Sequence, residues 1–219
     1  LASRDVNYWE QRFNSGDTPW ELGAASQALF EAVSEVYPDE RVLHGLKVLA
    51  PGCGTGADAF ELARRGAAVT ALDWSPHACA RLKERITRAK LQNVQGDVQV
   101  VHGDFFVSSP ELVDLVCEHT FFCAIDPIRR PDYVQAVVRW LRPGGYLIGN
   151  FFILPESEIT VLPGLSLAKG GDGPPFASTE RELLGLLNPY FDTITLRPAS
   201  KGESSRRAGM EWMGIFRRR

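Results

Sequence analysis

Cysteine is scarce, net charge is close to zero and no long apolar run occurs, and each shortage removes a class of function. The four cysteines, Cys53, Cys79, Cys117 and Cys123, form no CxxC pair and have no histidine at metal-ligand spacing, so neither a zinc site nor a disulfide framework is encoded. They fall in segments that read as core elements and are expected as reduced, mostly buried thiols. Nowhere do about 18 apolar residues follow one another, which leaves no candidate for a membrane-spanning helix. Leu1 to Asp17 are too polar for a secretory signal, so a cytoplasmic location is expected. Lys and Arg number 24 against 27 Asp and Glu, a formal net charge of -3. That balance gives no general electrostatic reason to bind nucleic acid or an anionic membrane, and the basic end Arg217-Arg218-Arg219 is too short to change it. The expected partner is a small molecule, and the expected state is a monomer or weak homodimer.

What is present is an ordinary globular composition, 44% hydrophobic and 23% charged over 219 residues, enough for one self-sufficient α/β core spanning 1–219. Up to about residue 45, Trp9, Phe13, Trp20, Leu22 and the stretch Leu29 to Val36 keep a helix-like rhythm broken by Gly16-Asp17-Thr18-Pro19. Two helices joined by a bend are predicted there, as a cover. From residue 46 onward short apolar runs alternate with amphipathic stretches, the pattern of βαβ units around a buried parallel sheet. Strands are predicted at Lys47–Ala50, Ala68–Leu72, Val98–Val101, Leu112–Cys117, Tyr146–Phe152, Thr193–Arg197 and Met210–Arg217. Helices fall at Ala57–Arg65, Pro76–Ala89, Arg130–Leu141 and Thr179–Leu187. Ser75 before Pro76 supplies an N-cap and a first-turn proline, and Arg142-Pro143-Gly144-Gly145 ends the third of these helices. Leu154 to Pro175, rich in Gly and Pro, is expected as a loop, with Gly170 to Pro175 a plausible lid or a plain surface loop. The fold expected is a Rossmann-like, doubly wound, seven-stranded, mostly parallel sheet.

Val48-Leu49-Ala50-Pro51-Gly52-Cys53-Gly54-Thr55-Gly56 is a glycine-rich turn between a buried strand and a helix. A ligand lying across the end of that strand needs close backbone approach, and a side chain at Gly52 or Gly54 would obstruct it. The second strand ends at Asp73, followed by Trp74, which places a carboxylate where ribose hydroxyls can donate to it. At the end of the third, Asp104 can accept from an adenine amino group while Phe105 covers the ring. Either aspartate alone is as well read as a helix cap or strand terminator; three strand ends in joint register point to one nucleoside. NAD is disfavoured, because Ala57 and Asp58 stand where the Gly-x-Gly-x-x-Gly pyrophosphate turn needs its last glycine. Asp58 would also repel phosphate. S-adenosylmethionine has no phosphate and carries a sulfonium and an ammonium, so nearby carboxylates favour it.

With these motifs in place the sequence resembles the class I S-adenosylmethionine methyltransferases, and within them the thiopurine methyltransferase superfamily, in its thiol and halide methyltransferase branch. The resemblance rests on Tyr8-Trp9-Glu10, Thr18-Pro19-Trp20-Glu21-Leu22-Gly23, the glycine turn, Gly103-Asp104-Phe105-Phe106 and, most specifically, Glu118-His119-Thr120-Phe121-Phe122-Cys123-Ala124-Ile125. Gly173-Pro174-Pro175-Phe176 is similar to that branch's Gly-Gly-Pro-Pro-aromatic loop, with Asp172 where the branch has glycine. The resemblance implies that Trp9 and Trp20 enclose the cofactor's methionine end, that Asp73 holds the ribose, and that Asp104 and Phe105 hold the adenine. An aromatic face also attracts a sulfonium on physical grounds, although core packing is the plainer role for a tryptophan. The expected cofactor set is Trp9, Trp20, Gly52, Gly54, Asp73, Trp74, Asp104, Phe105, Glu118 and His119. For the acceptor it is Trp20, Phe122, Arg129, Phe176 and Arg207, with Arg206 a further basic candidate.

His119 stands where relatives carry tyrosine or arginine. An imidazole there can orient a thiol or take its proton, or simply terminate a strand. The expected reaction is methyl transfer to a small aryl, heteroaryl or aliphatic thiol, giving a thioether and S-adenosylhomocysteine, with no metal. An O- or N-methyltransferase of a small heteroaromatic, a halide methyltransferase and a non-catalytic binding domain on the same fold stay open at this level.

Overall fold

A computed structural model describes residues 5–39, 43–90, 97–108, 111–162, 165–168, 173–200 and 209–219. Two helices come first, α1 (Val6–Ser15) and α2 (Gln27–Val36). Asp5 caps α1 through the Tyr8 N–H, and Ser26 caps α2 through Leu29 N, each side chain satisfying one donor that a helix start leaves open. The break between them falls at the predicted turn, where Gly16 closes α1 in the left-handed region (φ 72°). Trp20 and Leu22 lie in this connecting segment rather than on either helix.

The α/β part runs β1 (Lys47–Pro51), α3 (Ala57–Arg64), β2 (Ala68–Asp73), α4 (Pro76–Lys90), β3 (Asp97–His102), β4 (Val113–His119), α5 (Arg130–Trp140) and β5 (Leu141–Phe152), with short 3₁₀ turns before α5. A hairpin, β6 (Ile159–Leu162) and β7 (Leu165–Ala168), precedes α6 (Glu180–Leu187), β8 (Phe191–Pro198) and β9 (Glu211–Arg218). All seven predicted strands are present and form one sheet in the order β3-β2-β1-β4-β5-β9-β8. Neighbours from β3 to β5 are parallel, and β9 runs antiparallel to both β5 and β8. Thr179 caps α6, accepting from Glu182 N.

Two further predictions differ from the structure. Residues 154–175, expected as a loop, contain the β6–β7 pair, whose short strands lie among residues too rich in Gly and Pro to stand out by alternation. And Arg142 to Gly145 belong to β5 instead of a separate turn: Leu141 already pairs with Val113, and a register irregularity between Val113 and Leu115 absorbs the glycines.

Alternating strand residues supply two apolar faces. Val48, Val69, Ala71, Leu115, Cys117 and Ile148 pack with Leu29 and Val33 of α2 and Ala59 and Leu62 of α3. Leu49, Leu72, Val116, Leu147 and Phe151 face Tyr133, Val137 and Trp140 of α5 and Leu183 and Leu187 of α6. Strand order reverses between β1 and β4, the point at which the carboxyl ends of an open α/β sheet leave a crevice. No helix among the described residues is long and apolar enough to cross a membrane.

Candidate active site

A cavity of about 560 Å³ opens at that crevice, a volume within the range of small-molecule sites. Its floor is the glycine turn. Gly52 and Gly54 adopt φ of 57° and 54°, and a Cβ would lie 2.3 Å from the Phe121 ring at the first and 2.4 Å from Glu21 Oε1 at the second. Glycine is therefore required at both positions by backbone conformation and by neighbouring side chains, and both line the cavity.

Asp73 ends β2 beside this turn, buried to 7% exposure. Its Oδ2 accepts from Gly54 N at 2.8 Å and its Oδ1 from Ser75 N at 2.8 Å. A carboxylate has about four acceptor sites, so two backbone donors fix its plane and leave capacity for a ligand's hydroxyls. Burial pushes its pKa up, against the pull of the same backbone hydrogen bonds. Asp104 is oriented in the same way, through Oδ1 and Phe106 N at 2.8 Å. Phe105 next to it is edge-on to Phe121 at 5.4 Å. Asp73, Trp74, Asp104 and Phe105 all line the cavity.

The cover supplies Trp9, Phe13 and Trp20, which meet edge to face, Trp9 to Trp20 at 5.4 Å and Phe13 to Trp20 at 5.7 Å. The Arg12 guanidinium lies 4.6 Å from the Trp20 ring centre, so one cation already uses that indole. Two carboxylates tie this cover down. Glu21 accepts from Thr55 N at 3.1 Å and from the Thr55 hydroxyl; Glu10 accepts from the Ser75 hydroxyl and from His77 N at 3.4 Å. Both sit at helix amino termini, where open N–H groups and the helix dipole favour an anion.

His119 closes β4, and Thr120 after it turns the chain at φ 61°, an uncommon conformation for a β-branched residue. Its Nδ1 donates to Asp58 Oδ2 at 2.8 Å, in the tautomer this contact favours. Asp58 Oδ1 accepts in turn from Ser26 N at 2.7 Å. The carboxylate set aside in the sequence as hostile to phosphate thus orients the imidazole. Sequence reasoning missed this pair because 61 residues separate them; only the adjacency of β1 and β4 unites α3's first turn with the end of β4.

Not every expected residue reaches the cavity. Glu118 points the other way: it accepts from Phe121 N, Phe122 N and Tyr133 Oη at 2.8, 2.9 and 2.9 Å, and burial raises its pKa. It shapes the turn that carries Phe121, as a buried acceptor for three donors. Phe122 is core, packed on Tyr133 and Phe151. Phe176 is buried too, and its carbonyl and that of Ala177 accept from the fully buried Arg130, whose other branch pairs with Glu182 at 2.6 Å. The two prolines before it line the cavity instead. Arg129 does reach the wall and lies 3.7 Å from the Phe106 ring centre. Arg206 and Arg207 fall outside the described residues, as do Gly170 to Asp172 of the expected lid. Asn150, Glu211 and Met210 line the cavity without having been singled out. For Asn150 a signal existed, a carboxamide inside an otherwise apolar strand.

Of the cysteines, Cys79, Cys117 and Cys123 are buried and Cys53 is half-buried. Burial raises the pKa of Cys53, Cys79 (to about 11) and Cys117, which keeps these thiols protonated and unreactive.

A sequence profile of the thiopurine S-methyltransferase family matches residues 4–214. The chain belongs to the thiopurine S-methyltransferase family. It is 30% identical over 220 residues to the Arabidopsis thaliana protein named Probable thiol methyltransferase 2, covering all of this chain and 88% of that one. A thiopurine S-methyltransferase of Vibrio cholerae is 26% identical over 73% of this chain and 81% of its own length. Among solved structures, magnesium protoporphyrin IX methyltransferase of Synechocystis PCC 6803, with bound S-adenosylmethionine, superposes over the full length of both chains with a TM-score of 0.72 at 15% identity, a likeness of fold. This family member is an S-adenosylmethionine-dependent methyltransferase, and the chemistry of its family is S-methylation. The cavity fits such a cofactor: a glycine floor without side chains, two oriented carboxylates on adjacent strand ends and an aromatic cover.

Proposed function

We propose that the chain methylates the sulfur of a small-molecule thiol, with Asp73 holding the ribose, Asp104 and Phe105 the adenine, Trp9 and Trp20 the methionine end, and His119 acting on the acceptor. The observation that carries this reading is the Asp58–His119 hydrogen bond in the cavity wall. With the imidazole proton held on Nδ1 by Asp58, Nε2 is the basic nitrogen. It takes the thiol proton, a transfer suited to these two group types, whose ordinary pKa values differ by only about two units. A phenol lies further from that match. S-adenosylmethionine, held by Asp73, Asp104 and Phe105, would supply an electrophilic sulfonium methyl, so that the acceptor's new C–S bond would form as the methyl–sulfonium bond breaks and S-adenosylhomocysteine leaves. The chain contributes position and exclusion of water, through the aromatic cover and the oriented carboxylates. Arg129 at the wall is suited to an acidic or aromatic acceptor.

A competition between equimolar thiophenol, phenol and iodide for isotopically labelled S-adenosylmethionine tests the reading. Label is expected in methyl phenyl sulfide. Label confined to anisole or iodomethane overturns it.

A further inference from the structure

Asn150 is 5% exposed, and among the described residues neither its Oδ1 nor its Nδ2 has a hydrogen-bond partner. A buried amide with both ends unpaired is costly and uncommon in folded proteins, and this one stands in the cavity wall. Because both ends lack partners, the usual ambiguity over which atom is oxygen does not alter the point. Asn150 is the β5 residue paired with His119 on β4, so their backbones are about 4.8 Å apart. The two residues share the sheet face on which Asp58 holds the imidazole, next to the proposed proton acceptor.

Topology separates this place from the nucleoside. Asp73 ends β2 and Asp104 follows β3 on one side of the crevice, whereas Asn150 of β5, Glu211 at the start of β9 and Met210 just before it stand on the other. We propose that Asn150 is an acceptor-specificity residue, selecting thiols that carry an amide or lactam edge close to sulfur. An unpaired carboxamide offers one donor direction and one acceptor direction side by side, and is fully satisfied only by a ligand edge offering the complement, as a second amide does. A halide or thiocyanate ion meets the donor at most and leaves the oxygen unpaired. A plain aryl thiol meets neither, and a site built around a buried polar group discriminates strongly against ligands that leave it bare.

The inference rests on the thiol reading for its acceptor, and a binding experiment separates the two. Calorimetry on protein saturated with S-adenosylhomocysteine gives the dissociation constants of 2-mercaptobenzamide and thiophenol, for the wild type and for Asn150→Leu, with Asn150→Ala as the second variant should the leucine not fold. The wild type is expected to prefer the amide-bearing thiol, and that preference to fall about tenfold or more in the variant, with affinity for S-adenosylhomocysteine kept within about threefold. An unchanged preference overturns the proposal. So does a loss of S-adenosylhomocysteine affinity without a change in preference, which would give Asn150 to the cofactor. Failure of the thiol reading looks different: amide preference persists in binding, and 2-hydroxybenzamide is methylated in place of 2-mercaptobenzamide.

Discussion

At the scale of single residues, the site is a set of carboxylates whose remaining acceptor capacity is aimed by backbone donors. Asp73 is the clearest case, since Gly54 N and Ser75 N fix both its oxygens before any ligand arrives. Replacing it with alanine is expected to weaken S-adenosylhomocysteine binding at least about tenfold by calorimetry, the loss of two charge-assisted hydrogen bonds. Its burial adds a pH signature. An ionised carboxylate accepts through both oxygens and more strongly than the protonated acid, and burial raises the pKa of Asp73 above the ordinary carboxylate value. Affinity in the wild type should therefore fall as pH drops, beginning above the usual carboxylate range of about 4, and Asp73→Ala should lack that dependence. Equal affinities for wild type and variant remove Asp73 from the site. Asp73 and Asp104 were legible in the sequence because strand ends announce themselves by pattern. Asp58 was not legible as a site residue, since what defines it is a partner 61 residues away; Asn150 showed only as a carboxamide in an apolar strand, and its place in the cavity wall depends on which strands become neighbours.

At the scale of elements, the cover formed by α1, α2 and their connection is held to the sheet by carboxylates at helix starts: Glu21 on Thr55, Glu10 on Ser75 and His77, and Asp58 on Ser26 N. Trp20 is one residue from Glu21, so this latch sets how firmly the aromatic wall closes the cavity. Glu21→Ala removes hydrogen bonds from both the backbone and the hydroxyl of Thr55. Hydrogen exchange read by mass spectrometry should rise in residues 6–26 of that variant, with α5 and α6 unchanged. A uniform rise across the chain, or none, contradicts a local latch. Capping residues and helix periods made α2, α4 and α6 readable in advance. The β6–β7 hairpin was hidden by its brevity, and Phe122 and Phe176, though recognisable as motif positions, turned out to pack in the core around Arg130.

At the scale of the whole molecule, the strand order reversal between β1 and β4 does the assembling. It sets β2 and β3, with their aspartates, to one side of the crevice and β4, β5 and β9, with His119, Asn150 and Glu211, to the other. On the proposed reading, methyl donor and acceptor thereby take separate walls over a common floor. The sheet was readable because each strand carries its own burial pattern. The division of the cavity was not, because it depends on which non-sequential strands become neighbours. The claim that this geometry moves a thiol proton to His119 is tested most directly by the pH dependence of kcat/KM for an aliphatic thiol, in the wild type and in His119→Gln between pH 6 and 9. General-base help is worth about 10²-fold or more. A gap of that size is expected near pH 7, narrowing as rising pH ionises the thiol without assistance. A gap that stays constant across the range, or no gap, contradicts the proposed role of His119.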